Sequence, residues 1–104
     1  ATACEPALCS GVAYETCLGD EHDYYTIELA SPGLITIDLV VPDGTDYDLY
    51  LWCPGQGDYC ARSIEYDDVD EQIVFTGTTA GVYQIEVRYW EGSLSAPYVL
   101  TATY

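Results

Sequence analysis

From Asp23 onward, β-branched and aromatic residues fall at every second position. That period of two predicts strands with one buried and one solvated face. Asp23 to Leu29 sets Tyr25, Ile27 and Leu29 against Tyr24, Thr26 and Glu28, and Ser31-Pro32-Gly33 then turns the chain. Gly33 to Val41 repeats the pattern with Ile35, Ile37, Leu39 and Val41 inward, and Pro42-Asp43-Gly44 turns it again. The two runs read as a hairpin-like pair. Asp46 to Cys53 offers Tyr47, Leu49, Leu51 and Cys53 to the core, with Asp46, Asp48, Tyr50 and Trp52 outward. After Pro54-Gly55-Gln56-Gly57-Asp58, a run from Cys60 to about Tyr66 places Ile64 inward. Glu71 to Thr76 buries Ile73 and Phe75, and Gly77-Thr78-Thr79-Ala80-Gly81 closes it. Val82 to Trp90 alternates Tyr83, Ile85, Val87 and Tyr89 with Gln84, Glu86, Arg88 and Trp90. Tyr98, Leu100 and Ala102 point inward in the last run, against Val99, Thr101 and Thr103.

Seven short strands with regular turn signals and no helical stretch predict an all-β fold, a single antiparallel β-sandwich of jelly-roll or Ig-like wrapping. Residues 1–19 show no sustained alternation and carry three of the five cysteines, so they read as an irregular Cys-rich N-terminal arm. Residues 20–104 form the sandwich domain. At 104 residues there is room for one domain and no second catalytic one.

Charge narrows the partners. Eighteen acidic residues against two basic ones give a net charge of −16. Arg62 and Arg88 are the only fixed cations. Nucleic acid and anionic membrane are excluded, because affinity for either comes from Lys and Arg meeting phosphates. No apolar run approaches the ~20 residues of a membrane span, so membrane insertion is not expected. The first residues lack the basic and apolar regions of a secretory signal, so any such signal is expected to have been removed or to lie upstream. Five cysteines without metal-type spacing favour an oxidising compartment, hence an extracellular or cell-surface location.

Cys53 and Cys60 flank one strand-to-strand turn and are expected to pair. Closing that loop removes denatured-state entropy equivalent to about 2.5 kcal/mol. Cys4, Cys9 and Cys17 allow one further bridge between two of them and leave one cysteine over, as a free thiol or for a bond to another chain. Catalysis finds little to work with. The single histidine, His22, lies in an acidic loop without a nucleophile elbow nearby, and paired carboxylates in so small a sandwich lack an enclosing cleft.

The carboxylates gather in turns, and Asp20, Glu21, Asp23, Asp46 and Asp48 are candidate calcium ligands, Ca²⁺ being the one cofactor the sequence suggests. A solvated acidic surface is the competing explanation. Asp48 is also placed to accept backbone amides from the preceding turn. Gly81 permits a sharp start to its strand, and the inward Tyr83 needs a backbone acceptor for its hydroxyl. Tyr24, Tyr50, Trp52 and Trp90 all fall on outward positions, a candidate contact surface for polysaccharide, fibrous protein or a sister subunit. Cross-strand aromatic pairing would explain them without a ligand.

Residues 46–53 (Asp-Tyr-Asp-Leu-Tyr-Leu-Trp-Cys), Cys60, residues 80–89 (Ala-Gly-Val-Tyr-Gln-Ile-Glu-Val-Arg-Tyr) and residues 98–104 (Tyr-Val-Leu-Thr-Ala-Thr-Tyr) resemble the bacterial pre-peptidase C-terminal domain. The likeness spans roughly Asp20 to Tyr104. It implies a secreted, non-catalytic β-sandwich appended to extracellular peptidases and other exported proteins, related in architecture to the collagen-binding domains of clostridial collagenases. Two functional expectations follow. One is a non-enzymatic adhesion or self-associating module, with copies of itself as partner, the arm docking on a neighbour and a filament as the product. The alternative is an appended targeting domain of a secreted peptidase or glycan-degrading enzyme. An arm folded back on its own domain is the competing account for residues 1–19.

Overall fold

The computed structural model describes residues 7–16, 22–42, 44–64, 70–91 and 97–104. Eight strands form there: β1 (Tyr14–Thr16), β2 (His22–Leu29), β3 (Gly33–Val40), β4 (Asp46–Trp52), β5 (Tyr59–Ser63), β6 (Glu71–Gly77), β7 (Gly81–Glu91) and β8 (Tyr98–Thr103). They make two antiparallel four-stranded sheets, ordered β1-β8-β3-β6 and β2-β7-β4-β5. This order, with successive long runs alternating between sheets, is that of an eight-stranded jelly roll.

The inward faces meet as the alternation requires. Ile27, Ile35, Ile37, Leu49, Leu51, Ile85, Val87 and Leu100 are wholly buried, joined by the rings of Tyr47, Tyr83 and Tyr98. Tyr83 donates its hydroxyl to the Thr79 carbonyl at 2.7 Å, and Gly81 takes φ +141°, so both fold-making expectations hold. Phe75 is only partly buried at the rim. Ile64 is exposed rather than inward, because β5 ends at Ser63 and leaves Ile64 beyond its last pairing.

The hairpin expected of the first two runs is not formed. β2 pairs with β7 and β3 with β6 and β8, so Ala30 to Pro32 form a corner between sheets. Tight two-residue hairpins need positive φ at the turn. The described glycines that adopt it are Gly11, Gly44, Gly55 and Gly81, and Gly33 is not among them. Gly55, at φ 72°, lies instead in the connection that joins β4 to its true neighbour β5. Cys53 and Cys60 span that connection in a disulfide, their Cα atoms 5.8 Å apart.

The arm supplies an eighth strand. Three residues, Tyr14 to Thr16, pair with Leu100, Val99 and Tyr98. Ahead of them, Gly11 donates its amide to the Ala102 carbonyl and Leu8 its amide to the Thr26 carbonyl, each at 2.8 Å. Ser10 bonds the Tyr104 main chain at both N and O. Residues 8–16 therefore fold back and close the seam between β8 of one sheet and β2 of the other. Cys9 is also disulfide-bonded. Cys4 and Cys17 lie outside the described residues.

Candidate ligand-binding face

On the outer side of the β2-β7-β4-β5 sheet, the register aligns three rows of side chains. His22, Arg88 and Asp48 form one, Tyr24, Glu86, Tyr50 and Arg62 the next, and Thr26, Gln84, Trp52 and Tyr59 the third. Trp90 is the next outward residue of β7 beyond Arg88. From Gln84 to Trp90 the face extends about 20 Å at a strand rise of ~3.3 Å per residue.

Glu86 is the hub. Only 1% of it is exposed, although it faces away from the core. Its Oε2 accepts from Arg88 Nε at 2.9 Å and lies 2.6 Å from His22 Nδ1. Its Oε1 accepts from Arg88 Nη2 at 3.2 Å and from Trp52 Nε1 at 3.1 Å. Burial pushes the carboxyl upward, but the hydrogen bonds from Arg88, His22 and Trp52 outweigh it and hold Glu86 below the ordinary range. The same bond holds Arg88 above its usual value. Glu86 is thus a carboxylate whose bonds fix a tryptophan, an arginine and a histidine.

Rings and guanidinium groups fill the rest. Arg88 lies over the Tyr50 ring at 4.1 Å and Arg62 over the Tyr59 ring at 5.7 Å, both within cation–π reach. Tyr59 meets Tyr50 and Trp52 edge-on, with centroids 5.1 and 6.1 Å away. His22 and Tyr24 lie nearly parallel at 6.2 Å. Asp48 is squeezed: burial first, then Asp46, push its carboxyl up to about 6, while Arg88 and Arg62 pull it down. It serves this cluster, and the turn whose amides it was expected to accept includes Asp43, which lies outside the described residues.

Of the four aromatics read as a contact surface, Tyr24 and Trp90 are open, at 54% and 66% exposure, and Trp52 is half-buried. Tyr50 faces outward yet is only 6% exposed, because Arg88 and Tyr59 cover it. It supports the surface from beneath. Sequence reasoning missed Glu86, Arg88, Arg62, His22 and Tyr59. Their outward alternation was visible for β7, but their convergence depends on strands distant in the chain.

Three of the candidate calcium ligands, Asp23, Asp46 and Asp48, lie among the described residues. Asp23 turns the other way, and its Oδ2 accepts the Tyr98 hydroxyl at 2.7 Å. Tyr98 in turn bonds the Tyr25 hydroxyl, and burial is the main reason Tyr25 is pushed up to about 12. Asp46 is buried and Asp48 belongs to the outer face. Asp20 and Glu21 lie outside the described residues. Among the described residues no group of three or more His, Cys, Asp or Glu is placed to hold a metal ion.

The model of the bacterial pre-peptidase C-terminal domain matches residues 21–88. The chain belongs to this family. A crystal structure of the pre-peptidase C-terminal domain of a Bacillus anthracis collagenase shares its fold, with a TM-score of 0.77, 21% identity and 90% of each chain covered. PliG of Aeromonas hydrophila, a periplasmic inhibitor of g-type lysozyme, follows the same fold at a TM-score of 0.63 and 19% identity, over 88% of this chain and 83% of its own. No curated protein matches the sequence. The matched residues of this pre-peptidase C-terminal domain include β2 to most of β7, and so the whole hub around Glu86.

Proposed function

We propose that this pre-peptidase C-terminal domain is a non-catalytic binding module of a secreted protein, and that the outer face of its β2-β7-β4-β5 sheet holds a fibrous extracellular protein. One observation carries the reading: every arginine and the one histidine of a chain with net charge −16 lie on this face among Tyr24, Tyr59, Trp52 and Trp90. Here the cations are matched by Glu86 and Asp48, so the face is near neutral and aromatic.

Such a face suits extended, proline-rich polypeptide. Aromatic planes pack against pyrrolidine rings, and arginine donors meet the unsatisfied carbonyls of a polyproline-type strand. The fold relative from a collagenase supports a fibrous protein over the polysaccharide that the same aromatics also suggest. The disulfide supports an oxidising location outside the cytoplasm. Fixing Trp52 and Arg88 through Glu86 before binding lowers the entropy lost on contact.

Co-sedimentation with insoluble collagen fibrils, and with insoluble cellulose and chitin in parallel, tests the reading. Wild type is expected to pellet with the protein fibrils. Tyr24→Ala and Trp90→Ala are each expected to weaken this about tenfold or more while melting like wild type. Pelleting with the polysaccharides alone, or equal pelleting of both variants, overturns it.

A further inference from the structure

At the corner where β2 gives way to β3, a surface cavity of about 400 Å³ is lined by Glu28, Leu29, Ala30, Pro32, Leu34 and Tyr104. That volume is ample for one long side chain. Leu29 is buried, while Leu34 is 56% exposed. Tyr104 donates its hydroxyl to the Leu8 carbonyl, so the arm fixes its ring in place. Glu28 is exposed, and its charge reaches Tyr104: burial and then Glu28 hold that phenol above its ordinary range.

The carboxylate of Glu28 has no basic side chain of its own chain within reach. The sequence contains two arginines and no lysine. Arg88 stands opposite His22, six residues from Glu28 along β2, about 20 Å at the usual strand rise. Arg62 lies on β5, at the far edge of that sheet. An apolar cavity with an aromatic ring and one unmatched carboxylate is chemically complementary to an amphipathic cation.

We propose that this cavity receives an arginine or lysine side chain from a partner polypeptide, its stem against Leu29, Pro32 and Leu34 and its charge between Glu28 and the Tyr104 ring. A polypeptide fits better than a free amine because the rim, at Ala30, Ser31 and Pro32, is exposed and leaves a small molecule mostly in water. Beyond the rim, the outer face of β3 and β6 continues with exposed Leu34 and Val74 beside Thr36 and Thr76. Asp38 on that face is bonded by the Gln72 amide at 2.7 Å. A protein seated on this apolar strip would deliver a basic side chain into the cavity, drawn in by the net charge of −16. Glu28 stands one row beyond Thr26 at the end of the ring-lined sheet face, and the cavity shares no lining residue with the Glu86 cluster.

Titrating the ¹⁵N-labelled chain with N-acetyl-arginine amide, followed by amide chemical shifts, tests the proposal, with the neutral citrulline analogue as control. Saturable shifts confined to residues 28–34 and Tyr104 are expected, with half-saturation in the millimolar range. Glu28→Gln, at an exposed position, should keep the fold and bind at least about tenfold more weakly, and Leu34→Ala severalfold more weakly. Shifts scattered over the acidic surface, equal shifts from the citrulline analogue, an unchanged titration in Glu28→Gln, or no saturable shift would each overturn it.

Discussion

At the residue scale, two carboxylates on the adjacent strands β7 and β4 show how environment decides ionisation. Glu86 is nearly excluded from water, and only its bonds from Arg88, His22 and Trp52 make the ionised form the favoured one. Asp48 sits closer to solvent but with fewer compensations, so its carboxyl is pushed from its ordinary 3.8 up to about 6. The signs are opposite. Glu86 contributes stability that is present above its unfolded pKa and lost as pH falls through its lower folded pKa. Asp48 is costly when ionised, a cost that grows as pH rises from about 3.8 to about 6 and is full above that. Asp48→Asn is therefore expected to raise the melting temperature at pH 7.5, with the gain vanishing near pH 4. Thermal scans across that range check it, and a variant less stable than wild type at pH 7.5 would contradict the assignment.

At the scale of elements, the arm is the informative piece. β1 has three residues, too short for any periodicity to announce it, and its place is set by main-chain bonds that no side-chain pattern encodes. Those bonds and that of Gly11 seal β8, and Leu8 extends the seal to β2. An unpaired edge is a template for aggregation, so removing the arm should matter beyond the lost contacts. Deleting residues 1–19 is expected to lower the melting temperature by roughly 10 °C, the effect of ~2 kcal/mol in a domain of this size, and to make the protein aggregate at high concentration. Light scattering of the intact chain and the truncated form distinguishes this from assembly through the arm. If the intact chain forms chains of copies and the truncated form is a stable monomer, the arm's principal partner is a neighbour.

For the whole molecule, what could be read in advance follows from what alternation encodes. The sandwich, its core rings and the Cys53–Cys60 bridge are local or nearly local properties, and each was legible. Strand order was not. The Ser31-Pro32-Gly33 turn looked like a hairpin because turn composition does not reveal whether the next strand joins the same sheet. The candidate site shared that limit. Outward Tyr24, Trp52 and Trp90 were visible as exposed aromatics, whereas the rows that gather them around Glu86 require β2, β7, β4 and β5 to be neighbours in that order. The jelly roll thereby produces one near-neutral, ring-lined face on a molecule of net charge −16. Transferred cross-saturation from collagen fibrils to the deuterated, ¹⁵N-labelled chain tests that claim most directly, because it reports which amides lie against the fibre. Signal loss concentrated at Tyr24, Trp52, Tyr59, Arg88 and Trp90 is the predicted result; loss centred on β3, β6 and β8, with those residues untouched, would contradict it.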